Sequence, residues 1–212
     1  MHYSQAQIRR SKANGIYTYI DREAKYRHTV MVSEITGILT EFLGWEPKEV
    51  ISAKHAALLH DVGKNFIPKE ILDKPGKLTS EEYAIVRTHA DLGHEYLTYQ
   101  SDYGEPLGWE PGTLSLAAIV ALQHHERIDG SGYTGMKGDE INPLAKLVAL
   151  ADVFDALYSY RPYKLPWSIA EIIESFLEGR EKIYDAEYVD ALLECLDDIL
   201  SIYKDDYEPD DD

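Results

Sequence analysis

Apolar residues along this chain recur mostly at intervals of three and four, and few segments alternate at every second position. That periodicity predicts amphipathic helices packed on a shared core, an all-α fold. Val30, Val32, Ile35, Ile38, Leu39, Phe42 and Leu43 form the first stripe, which Gly44 and Pro47 close. A second helix is expected from about Glu49 to Leu59, delivering His60 and Asp61 at its C-terminal end. Pro68 and Pro75-Gly76 interrupt the chain. Thr79-Ser80-Glu81-Glu82 then carries the cap and acidic first turn of a new helix, expected to run through His89 toward Leu97. Residues 101–113, with three glycines and two prolines, read as a loop. Leu114 to His125 is the next helix and leads into the glycine-rich stretch Asp129-Gly130-Ser131-Gly132-Tyr133. Leu144 to Leu157 is apolar enough to be central, yet it contains Asp152 and Asp155. Helices near 168–180 and 185–203 complete the pattern. With no internal repeat or low-complexity linker, the expectation is a single domain over 21–204, a helical extension at 1–20 and an acidic tail at 205–212.

At 212 residues the chain can bury a substantial core, and 44% hydrophobic with 28% charged residues is ordinary for a globular protein. The net charge of -17 excludes a polynucleotide-binding surface as the leading idea, because such surfaces cluster Lys and Arg. It leaves room for a small phosphorylated ligand, since bound cations and a few local basic groups offset an acidic field. The lone cysteine, Cys195, rules out a disulfide framework and fits a reducing compartment. No run approaches the ~20 apolar residues of a membrane span; Leu114 to Leu122 is short and contains Ser115. Met1-His2-Tyr3-Ser4-Gln5 lacks a signal-peptide core, so a cytoplasmic location is expected.

The chemistry begins at His60-Asp61, set in Leu58-Leu59-His60-Asp61-Val62-Gly63-Lys64. An imidazole and a carboxylate at a helix end can face one metal ion, and the second carboxylate oxygen can bridge to another. His28, His89, His124, His125 and Asp152 stand at intervals of roughly 30 residues around this pair, each in or beside an apolar helical pattern. Asp152 has only apolar neighbours in Val148-Ala149-Leu150-Ala151-Asp152-Val153-Phe154. A carboxylate buried there requires a partner, either a cationic side chain or a metal. Adjacent imidazoles on a helix point about 100° apart, but a helix end can turn both His124 and His125 toward one site. A nitrogen and oxygen ligand set without thiolate suits iron, manganese or zinc, and two ions better than one. His2, His55 and His94 fall outside any ligand pattern and read as surface or packing residues.

Tyr26-Arg27-His28-Thr29 and His60-Asp61-Val62-Gly63-Lys64 resemble the opening of the HD-domain phosphohydrolases. The run from Ile67 to Glu82 followed by His89, then His124-His125-Glu126-Arg127-Ile128-Asp129-Gly130-Ser131-Gly132-Tyr133, narrows the resemblance to the HD-GYP subfamily. Ala151-Asp152-Val153-Phe154-Asp155-Ala156-Leu157 and Arg161-Pro162-Tyr163-Lys164 complete it, over about residues 20 to 180.

The resemblance implies an HD-domain helical bundle whose di- or tri-metal centre hydrolyses a cyclic dinucleotide, typically cyclic di-GMP, to linear pGpG, with either pGpG or GMP as the end product. By analogy one ion takes His28, His60, Asp61 and Asp152, and a second shares Asp61 and adds His89, His124 and His125. Iron or manganese is expected ahead of zinc or nickel. Lys64, Tyr133, Arg161 and Lys164 match substrate-contacting positions. A hydroxide bridging the two ions would attack phosphorus in line, while Lys64 offsets charge on the non-bridging oxygens. Three departures modify this expectation. Thr134 stands where the motif has proline, which bears on loop stiffness and on partner docking. Ala24 stands where some members carry a glutamate that helps hold a third ion; Asp21 is roughly in helical phase with His28 and is the fallback, so two ions are expected. Many members follow a sensor domain and little chain precedes His28 here; if this is the whole protein, regulation is expected from a protein partner, metal supply or substrate level. A homodimer is compatible with all of this. The rival readings are an HD phosphohydrolase for another cyclic dinucleotide or nucleotide, and a non-catalytic receptor. The filled ligand set favours catalysis.

Overall fold

The computed structural model describes residues 23–160 and 165–204. The extension at 1–20, Asp21, Arg161, Lys164 and the tail at 205–212 lie outside the described residues. Helix α1 (Glu23–Phe42) sends Val32, Ile35 and Leu39 into the core with no exposed surface, the three-and-four spacing read from the sequence. Helix α2 (Pro47–Leu58) starts on a capping box in which the Glu46 backbone N–H donates to Glu49 at 3.0 Å, with Pro47 in the first turn. Its buried face includes Ala53, Ala56 and Ala57, small enough for α1 to pack closely against it. A 3-10 turn (Val62–Phe66) and the short α3 (Lys69–Leu72) follow.

Helix α4 (Ser80–Arg87) is capped by Thr79, and α5 (His89–Ser101) begins after a break at Thr88. The single helix expected through His89 is therefore two. At the break, Thr88 Oγ1 donates to the Ile85 carbonyl and His89 Nδ1 to the Val86 carbonyl, both at 2.7 Å. The Thr88 backbone N–H also donates to the Ile85 carbonyl at 3.1 Å, so the last turn of α4 is tightened and side chains share its carbonyls. Helix α6 (Thr113–Gln123) packs along α5 and α2. Helix α7 (Pro143–Tyr158) is central as expected, burying Leu144, Leu147, Val148, Leu150 and Phe154. Helices α8 (Ile169–Gly179), α9 (Ala186–Glu194) and α10 (Leu196–Lys204) close the bundle; α9 and α10 divide the expected 185–203 helix at Cys195. One hydrophobic core joins α1, α2 and α5 through α10, with α3 and α4 outside it, and no strand occurs among the described residues.

Candidate metal centre

Side chains from five parts of the chain converge on Asp61. His60 follows the C-terminus of α2, and Asp61 leads into the 3-10 turn. His89 opens α5, His124 closes α6, and His28 and Asp152 come from α1 and α7. Gly63 makes the approach of the 3-10 turn to α5 feasible. A Cβ built there would lie 1.9 Å from the His89 carbonyl oxygen, so any side chain would push Asp61 and His89 apart.

The converging atoms are spaced like the edges of metal coordination polyhedra. His89 Nε2 lies 3.3 Å and His124 Nε2 3.6 Å from Asp61 Oδ1, while His60 Nε2 lies 3.5 Å from Asp61 Oδ2. His28 Nε2 lies 3.2 Å from Asp152 Oδ1. Ligands about 2.1 Å from an ion are about 3.0 Å apart on an octahedron and about 3.4 Å on a tetrahedron. Two sets emerge, each with ligand atoms within 4.8 Å of one another: Asp61, His89, His124 and His125, and His28, His60 and Asp61. Asp61 belongs to both, and Asp152 adjoins the second through His28.

The imidazoles are oriented to present Nε2 inward. Nδ1 of His60, His89 and His124 lies 2.7, 2.7 and 3.0 Å from the carbonyls of Ala57, Val86 and Ala121, in each case three residues back. A carbonyl only accepts, so each Nδ1 carries the proton and each neutral ring aims an Nε2 lone pair at the centre. His89 Nε2 and His124 Nε2 then face each other at 3.4 Å. Two lone pairs at that distance repel unless a cation or an extra proton stands between them. Burial pushes the His124 pKa down to about 4, which disfavours the proton on that ring. His60 Nε2 and Asp61 Oδ1 are buried and make no hydrogen bond among the described residues, an expensive state that a cation relieves. Burial alone would raise the Asp61 carboxyl, but Lys64, His60 and His124 hold it well below the usual range. It is a carboxylate and can bridge.

His28 is held differently. Its Nδ1 lies 2.6 Å from Asp155 Oδ2, 127 residues along the chain. Burial opposes a charge on His28, yet its contacts with Asp152 and Asp155 outweigh it and raise the pKa to about 9. Asp155 is itself buried and also accepts from Ser159 at 2.7 Å and Tyr203 at 2.9 Å. Its orienting role is absent from the sequence reading, although its spacing three residues after Asp152 was a usable signal for a shared helix face.

The expected substrate residues Lys64 and Tyr133 both lie beside the centre. Lys64 Nζ donates to Asp61 Oδ2 across one turn. The Tyr133 ring packs on His125 with centroids 4.4 Å apart, while the Arg87 guanidinium lies 4.7 Å from the centre of the same ring. Arg87 also donates to the Tyr133 carbonyl. The loop is fastened from below by the buried Glu126 carboxylate, which accepts from Thr134 N at 2.7 Å and from Gly135 N and Met136 N at 3.1 Å each. A proline at 134 would lack the first of these donors. Sequence reasoning assigned no role to Arg87 or Glu126. His55, stacked on Trp109 at 4.2 Å, and His94, bonded to the Ala118 carbonyl at 3.0 Å, are packing residues as read from the sequence.

Residues 14–188 match the HD domain family. The chain belongs to that family. This HD domain is 41% identical over 163 residues to the cyclic di-GMP phosphodiesterase response regulator RpfG of Xanthomonas campestris, a match covering 76% of this chain and 41% of the relative. It is 39% identical over 192 residues to a cyclic di-GMP phosphodiesterase of Thermotoga maritima, covering 90% and 50%. A 3'3'-cGAMP-specific phosphodiesterase 2 of Vibrio cholerae is 37% identical over 165 residues, covering 77% of this HD domain and 30% of the relative. The chain thus spans half or less of the length of these curated relatives. In fold it resembles Bd1817 of Bdellovibrio bacteriovorus, described as a HDG"Y"P protein, with a TM-score of 0.62, 23% identity and coverage of 89% and 58%. A cluster able to hold divalent metal is present, and no helix among the described residues is long and apolar enough to cross a membrane.

Proposed function

We propose that this HD domain is a phosphodiesterase for a cyclic dinucleotide, cyclic di-GMP first, using two divalent transition-metal ions. The observation that carries the metal reading is the pair of inward Nε2 atoms of His89 and His124, 3.4 Å apart with both Nδ1 atoms committed to carbonyls. His28, His60, Asp61 and Asp152 would hold one ion, and Asp61, His89, His124 and His125 the other. The nitrogen and oxygen donors accept iron, manganese, zinc or nickel, and the family resemblance puts iron or manganese first. When bound, the ions supply a water of lowered pKa and Lewis-acid stabilisation of phosphoryl oxygens.

The chain's own residues do the rest. Asp61, kept ionised by its neighbours, spans both halves. Lys64 turns from Asp61 toward a non-bridging phosphoryl oxygen, where its charge is useful as the transition state gains negative charge. Tyr133, backed by Arg87 and His125, offers a rigid aromatic face for a base or sugar. Arg161 and Lys164 would take the far phosphate, and linear pGpG would leave first, with GMP after a second cut. Relatives named for cyclic di-GMP and for 3'3'-cGAMP support the substrate class and make 3'3'-cGAMP the second reading.

The test is anaerobic incubation of Fe(II)- or Mn(II)-loaded protein with each dinucleotide, followed by chromatography of the products. Linear dinucleotide from cyclic di-GMP is expected, with Lys64→Ala slower by roughly two to three orders of magnitude at unchanged metal content. Tight binding without any product would favour a receptor. Loss of metal in Lys64→Ala would give Lys64 a structural role instead.

A further inference from the structure

We propose that Tyr203, on the C-terminal helix α10, is a positioning residue for the His28 half of the centre, acting through Asp155. This rests on the reading of His28 as a metal ligand. The hydroxyl of Tyr203 donates to Asp155 Oδ1 at 2.9 Å, and Asp155 Oδ2 accepts from His28 Nδ1 at 2.6 Å. The three groups come from α10, α7 and α1, so the chain of contacts exists only when these helices are packed together. Tyr203 is 7% exposed, and its ring is fixed edge-on by Tyr158 at 4.7 Å. Burial and the nearby Asp155 charge raise its pKa, so the phenol remains a donor at neutral pH. Tyr203 also lies outside the residues 14–188 that match the HD domain family, so the family match assigns it nothing.

Without the hydroxyl, Asp155 Oδ1 would keep Ser159 as a donor, but Ser159 sits one turn away on the end of the same helix. Of the Ser159 and Tyr203 hydroxyls, which both donate to that oxygen, that of Tyr203 comes from a different helix. A carboxylate freed to rotate no longer fixes the His28 ring, and loss of an outer-shell partner commonly lowers metal affinity by about 10–100-fold. The other half should be indifferent, because His89 and His124 are oriented by carbonyls of their own local backbone.

The experiment is Mn(II) titration of the metal-stripped full chain, with free Mn(II) followed by electron paramagnetic resonance and melting of each metal-free protein measured alongside. Wild type is expected to take two ions. Tyr203→Phe should weaken one of them by about tenfold, the low end of that range because Ser159 remains, and leave the other unchanged. Asp155→Asn, which retains the side-chain volume, should weaken the same single ion more, as the residue through which Tyr203 acts. Two ions in wild type with both unchanged in the variants would overturn the inference alone. Equal weakening of both ions would also overturn it, since that is the mark of a general structural role. No Mn(II) binding by wild type would overturn the metal reading and this inference with it.

Discussion

His60, His89 and His124 are aimed by carbonyls three residues back, whereas His28 is aimed by a carboxylate 127 residues away that depends on a third helix. The first arrangement needs only a formed local turn. The second needs α1, α7 and α10 packed in register. Local backbone thus orients His60, His89 and His124, and tertiary packing orients His28, although His28 and His60 belong to the same candidate ligand set. The lesson is that neighbouring side chains in one candidate site can owe their orientation to different levels of structure.

The most damaging change to this picture should be at the joint. Asp61→Ala removes the one carboxylate common to both ligand sets and leaves His60, His89 and His124 converging on nothing. Turnover should be abolished, and the metal content of anaerobically purified protein should fall at both halves. Retention of two tightly held ions by elemental analysis would show that the halves do not depend on the shared carboxylate.

A smaller effect sharpens the same contrast. In metal-free protein His28 has its pKa raised to about 9 by Asp152 and Asp155 against the opposing effect of burial. A group whose pKa is higher folded than unfolded stabilises the fold fully below its unfolded value, about 6.5, and loses that contribution as pH rises through the folded value. Metal-free protein should therefore lose stability between about pH 6.5 and 9, by at most roughly 3 kcal/mol. His28→Gln should flatten that part of the profile. Metal-loaded protein should lack it too, because the ion takes the place of the proton. An identical slope in denaturant melts of wild type and His28→Gln would assign the titration elsewhere.

Much of this was legible in the chain because it is local. The stripe Val32, Ile35 and Leu39 predicted the buried face of α1, and the cap at Thr79 predicted the start of α4. The converging histidines and Asp61 were found from residue chemistry and from their resemblance to a known motif order. What is not legible depends on distant partners or on how a turn closes. The helix breaks at Thr88, where the backbone N–H closes a tight turn on the Ile85 carbonyl at 3.1 Å, a choice that periodicity does not register. Glu126 reads as one more charge after two histidines, until the chain folds back and three backbone N–H groups close on it. Tyr203 is one of sixteen tyrosines in the chain, and nothing nearby in sequence points it toward Asp155, 48 residues earlier.

In the proposed centre Asp61 bridges two ions. Anomalous diffraction from crystals of Mn- or Fe-loaded protein, collected at the metal edge, tests this directly. Two peaks per chain are expected, one against His28, His60 and Asp152, one against His89, His124 and His125, with Asp61 between them. A single peak, or two peaks that Asp61 does not join, would contradict it.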